Sequence, residues 1–80
     1  MAVELSLDRK AVEITWDNVL VVGDEVEIRC VNPDNEDVST RMAKNDGRAV
    51  ITFPKDYSGD AFVTVTGDNE DVSDNGTISV

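Results

Sequence analysis

Apolar side chains recur at every second position along most of this chain, a spacing that suits β-strands and little else. Val12, Ile14 and Trp16 alternate with Glu13 and Thr15. Val26, Ile28 and Cys30 alternate with Glu25, Glu27 and Arg29. Ala49, Ile51 and Phe53 alternate with Val50 and Thr52, and Ala61, Val63 and Val65 with Phe62, Thr64 and Thr66. Near the start, Val3, Leu5 and Leu7 point one way while Glu4, Ser6 and Asp8 point the other. Successive side chains of a strand project to opposite faces, so each run has one dry face and one wet face. No stretch carries the period of a helix of normal length. The expected fold is all-β.

The turn residues agree. Gly23-Asp24, between Val22 and Glu25, reads as a two-residue hairpin loop. Asn45-Asp46-Gly47 supplies a left-handed position for another tight turn. Asn32-Pro33-Asp34-Asn35 ends a strand, because proline has no N–H to give a ladder. Phe53 to Gly59 reads as a turn, Asp60 to Thr66 as a strand, and Asn75-Gly76 as the turn into a closing strand. Val38 to Lys44 reads as a short strand, although Met42 and Ala43 would tolerate a helical turn. Asp34-Asn35-Glu36-Asp37-Val38-Ser39 recurs word for word as Asp68-Asn69-Glu70-Asp71-Val72-Ser73. The flanks differ, so these are two similar polar loops, each ending in a valine that plugs the core, rather than a duplicated domain. Turn signals every ~8–12 residues favour a sandwich over a barrel.

The chain has 80 residues, enough for one domain spanning 1–80. A domain this small buries only ~60% of its unfolded surface and is marginal without a staple. One cysteine allows no internal disulfide, and without histidine or a cysteine cluster there is no zinc framework. Association with copies of itself, or with a larger body, is the remaining route to stability. The net charge of −10, from 17 acidic and 7 basic side chains, would repel phosphates, so no nucleic-acid partner is expected. No Lys or Arg follows Lys55. No run approaches the ~20 apolar residues of a membrane span, so no membrane partner is expected. Met1-Ala2-Val3-Glu4 leads into an alternating pattern rather than a signal peptide; if Met1 is the natural start, synthesis is cytoplasmic.

No catalytic constellation is visible. The usual base would have to be Asp, Glu or Lys, no serine sits in a nucleophile elbow, and Ser58-Gly59 reads as turn chemistry. No cofactor is expected. Asp71, Ser73, Asn75 and Gly76 match the first, third, fifth and sixth places of a calcium loop, but the chain has no glutamate at the twelfth. Asp68, Glu70, Asp71 and Asp74 are therefore only weak calcium candidates. Cys30, on an inward face, reads as an inert buried thiol. Val19-Leu20-Val21-Val22 is the candidate partner contact: four consecutive apolar residues on a strand have apolar side chains on both faces. Val19 and Val21 can enter the core, which leaves the other pair for a neighbouring loop or another subunit to cover.

Val21-Val22-Gly23-Asp24-Glu25-Val26-Glu27-Ile28-Arg29-Cys30, Gly47 to Ile51, and Tyr57 to Val65 together resemble the strands of immunoglobulin-like domains. The nearest type is the bacterial and phage one, seen in intimin-like adhesins and on virions. The resemblance implies an immunoglobulin-like antiparallel β-sandwich of about seven strands. In the antibody-type register a second cysteine would stand near Val63 and a corner tyrosine at Ala61; neither is present. A fibronectin type III-like register instead puts Trp16 on the second strand. The resemblance further implies a non-enzymatic virion protein, akin to capsid decoration proteins, that binds a major capsid protein or another virion protein. Apolar strand surface and the N-terminal strand would touch the shell or sister copies, as a homo-oligomer, with a trimer suggested by capsid symmetry. The acidic loops would face solvent. The location would be the virion surface. A bacterial surface adhesin domain and an acidic inhibitor that mimics DNA are the alternatives.

Overall fold

The computed structural model of the protein describes residues 1–5 and 11–80. Among these residues seven strands follow one another: β1 (Ala2–Leu5), β2 (Ala11–Thr15), β3 (Glu25–Val31), β4 (Asp37–Lys44), β5 (Arg48–Thr52), β6 (Asp60–Thr66) and β7 (Ser73–Ser79). They form two antiparallel sheets in the orders β1-β2-β5 and β4-β3-β6-β7. The fold is an all-β sandwich, and no helix occurs among the described residues. In the immunoglobulin constant arrangement the fourth strand sits beside the fifth. Here it pairs with the third, along Glu25↔Lys44 to Val31↔Asp37.

Alternation decides what is buried. Val12 and Ile14 on β2, Val26, Ile28 and Cys30 on β3, and Ala61, Val63 and Val65 on β6 are almost wholly enclosed. Trp16 continues the β2 pattern one step past the strand and is also buried. Ile51 and Phe53 are buried and Ala49 half-buried, as the spacing predicts. Val3 and Leu5 pack on the rim of this core, while Leu7 lies outside the described residues.

Three expectations need correction. Val19–Val22 is a loop, not a strand, and of its four residues only Val21 enters the core. The alternation of β2 ends at Trp16, where the chain must leave one sheet for the other. For the same reason Gly23-Asp24 closes no hairpin: it ends the crossing from β2 to β3, which lie in different sheets. Asn75-Gly76 is inside β7, opposite Thr64 and Val63, and not a turn before it. A Cβ at Gly76 would lie 2.9 Å from both Met1 Sδ and Val3 Cγ2, so the missing side chain is what lets β1 close over β7. Val38–Lys44 is a strand, as expected, and not a helical turn; β4 begins one residue earlier, at Asp37, and at 8 residues is the longest of the seven.

A slip in pairing between Cys30 and Val31 gives β4 one extra residue, and Val38 packs against the core there, whereas its counterpart in the repeat, Val72, does not. Strand β4 also shields an edge. Its inward-row Arg41 donates to the Val50 carbonyl, and Ser39 Oγ donates to the Thr52 carbonyl at 3.2 Å. A charge turned inward at a sheet edge discourages pairing with other chains. At the opposite pole Tyr57 donates its hydroxyl to the Asp60 carbonyl at the turn into β6 and packs on Phe53, with ring centroids 5.6 Å apart.

Because the core is one side chain deep on each sheet, single deletions are felt. Ile28→Ala is expected to cost about 3 kcal/mol and lower Tm by roughly 12–24 °C. Thermal unfolding followed by far-UV circular dichroism checks this; an unchanged Tm would contradict the assigned packing.

Candidate functional site

The antiparallel order sends three connections to one pole: the β2–β3 loop, the β4–β5 turn and the β6–β7 loop. The β2–β3 loop carries three of the six exposed large apolar side chains among the described residues. Val19 is 82%, Val22 59% and Leu20 46% exposed, while Val21 between them is fully buried and anchors the loop. Three of the four expected contact residues thus form an apolar knob around one buried anchor.

The loop is not loose. Asp17 turns it: its Oδ1 accepts from the N–H groups of Val19 (2.9 Å) and Leu20 (3.2 Å), and its carbonyl accepts from Val21 N at 3.1 Å. This side-chain cap is the usual way an Asp fixes a turn. Asp74 Oδ2 in turn accepts from Asp17 N at 3.1 Å, which ties the loop to β7. On the far side Asp68 N donates to the Val22 carbonyl at 2.7 Å. The chains approach so closely there that a Cβ on Gly67 would sit 2.1 Å from Val22 O.

Asn45 holds the centre. Its Oδ1 accepts from Trp16 Nε1 at 2.8 Å, and its Nδ2 donates to the carbonyls of Val21 (2.6 Å) and Gly23 (2.9 Å). Its own N–H donates to Asp24 O at 2.9 Å. One amide therefore satisfies the buried indole and holds the C-terminal half of the knob. A buried Trp needs such a partner, and an unpaired buried polar group is costly. Sequence reading sees the Asn45-Asp46-Gly47 turn, and Gly47 does take φ 88°. It does not see that the Asn side chain is a bracket, because the three acceptors and donors it meets are distant in sequence.

The knob stands among carboxylates. Asp17 and Asp24 flank it, Asp46 belongs to the neighbouring turn, and Asp68, Glu70, Asp71 and Asp74 to the β6–β7 loop and the start of β7. Beside it, on the outer face of the four-stranded sheet, runs an open groove of about 410 Å³. Glu25, Glu27, Met42, Thr66, Gly67, Asp68 and Glu70 line it. The apolar knob and the acidic β6–β7 loop are neighbours. Both emerge at one pole because β2 and β6 run the same way and each ends there.

The calcium candidates Asp68, Glu70, Asp71 and Asp74 are not assembled into a site. Among the described residues no three Asp, Glu or Cys side chains could hold a metal ion together. Asp74 is occupied by the Asp17 amide and lies 3.4 Å from the Met1 amino nitrogen. Cys30 is fully buried at mid-core, and burial pushes its thiol up to about 11 from the usual 9.0. The repeat's two copies lie at opposite poles, in the β3–β4 and β6–β7 hairpins. In the first, Asn32 Oδ1 caps the amides of Asp34 and Glu36; in the second, Asn69 Oδ1 caps Asp71. No protein family model, no curated protein and no solved structure matches the chain.

Two outcomes follow from this geometry. Asn45→Ala is expected to lower stability by about 2–3 kcal/mol and to shift native Trp16 emission to the red, as read by urea titration and fluorescence. Unaltered stability would show that the bracket does not bear on the loop. The raised Cys30 thiol favours the protonated form in the folded state. Its contribution to stability is therefore complete below pH ~9 and is lost as pH rises toward ~11. Denaturant midpoints across that range check the sign, with a Cys30→Ala variant losing the decline.

Proposed function

We propose that this chain is a non-enzymatic structural module that binds the outer surface of a phage particle, using the β2–β3 knob as its contact. The observation that carries the reading is the exposure of Val19, Leu20 and Val22 on a loop whose backbone is bonded on every side. Apolar side chains held rigidly in water favour docking twice over. They bury apolar area, and little ordering entropy is left to pay on binding.

The virion form of the proposal rests on the immunoglobulin-like resemblance, the small size and the acidic surface. The partner is a major capsid protein or another virion protein. A module that binds the assembled shell but not its free subunits stabilises the shell by mass action. A structural role also suits a molecule in which no charged or polar side chain among the described residues is buried. A homo-oligomer remains part of the proposal.

Cosedimentation of the purified protein with empty and filled capsids tests it. The expected result is saturable binding that is lost in a Val19→Ser/Leu20→Ser/Val22→Ser variant. These side chains are exposed, so the variant should keep its fold. Failure to bind either particle would overturn the virion reading, and binding that survives the triple change would overturn the contact.

A further inference from the structure

The knob and the acidic groove form one continuous surface, and their junction specifies the partner's chemistry. Gly67 and Asp68 join them: Asp68 N bonds the Val22 carbonyl at 2.7 Å, and both residues line the groove. Among the described residues the groove's charged lining is Glu25, Glu27, Asp68 and Glu70, with no cation in it, and Met42 and Thr66 are the remaining side chains of that lining. Lys44 stands opposite Glu25 on β4 but is not part of the lining.

We infer that the knob's partner is a protein surface with an apolar socket flanked by Lys or Arg side chains, which lie in this groove. The inference rests on the docking reading above and adds the charge of the partner to it. An acidic rim beside an apolar anchor gains most from a basic counterpart. Opposite charges steer the encounter and fix the register, whereas a neutral or acidic rim leaves the carboxylates unpaired or repelled. Long basic side chains also suit the lining, since their stems can lie on Met42 while their heads reach the glutamates. A second copy of this chain fits badly: joining two knobs would bring two such grooves together on molecules that each carry −10. Any homo-oligomer must therefore use another face.

The test is selection of a random-peptide library on the immobilised protein at ~50 mM salt, with counter-selection on the Val19→Ser/Leu20→Ser/Val22→Ser variant. The expected winners combine apolar residues with Lys or Arg. Their affinity should fall roughly ten-fold on Glu25→Gln/Glu27→Gln/Glu70→Gln, mostly through the on-rate, and fall again at ~300 mM salt on the unaltered chain. Knob-dependent peptides that are neutral or acidic and indifferent to salt would overturn this inference and leave the docking reading standing. No knob-dependent peptide at all would overturn both. A knob-dependent dimer of the unaltered chain at low salt would overturn the charge argument.

Discussion

The structure depends on filling one thin layer between two sheets from every second residue of short strands. Among the described residues twelve buried apolar side chains supply that layer, and no disulfide reinforces it. Each inward side chain must therefore be apolar and each strand must keep its register, because a slip of one residue would turn the dry face outward. The sheets share the work through chain order. The polypeptide crosses between them from β2 to β3, from β4 to β5 and from β5 to β6, and two of these crossings fall at one pole. Whatever those crossings carry is displayed together with the β6–β7 hairpin.

That shared pole is where fold becomes function. The loop from Asp17 to Asp24 has to bridge two sheets, and it does so by burying Val21 and turning its neighbours out. In a loop free to move, exposed valines would collapse onto whatever surface lay nearby. Asp17, Asn45, Gly67 and Asp68 prevent this by fixing the backbone from three directions. The exposed ion pairs elsewhere, Arg29 with Asp37 and Arg48 with Glu13, add little in comparison, since solvent screens them.

Much of the fold was legible because β-structure writes its periodicity into adjacent residues. The inward rows of β2, β3 and β6 follow directly from spacing, and β6 occupies Asp60–Thr66 as the pattern indicates. What the sequence hid was non-local. Gly76 looks like a turn residue, but its role is to make room for Val3 and Met1 from another strand. Gly23 looks like a hairpin residue, and its φ of 131° does require glycine, yet the strands on either side do not pair. The candidate contact Val19–Val22 was visible as an apolar run. Its shape was not, because which member turns inward depends on where the crossing starts. Asn45 carried no signal of its bracket, and the acidic groove exists only once β3, β4 and the β6–β7 loop are side by side.

The Asp17–Asp24 loop is a rigid platform rather than a loose connection, and backbone ¹⁵N relaxation of the free protein reads this out residue by residue. Order parameters of about 0.85 are expected for Val19 to Val22, equal to those of the strands. Values under about 0.6 in that loop, with rigid strands around it, would contradict it.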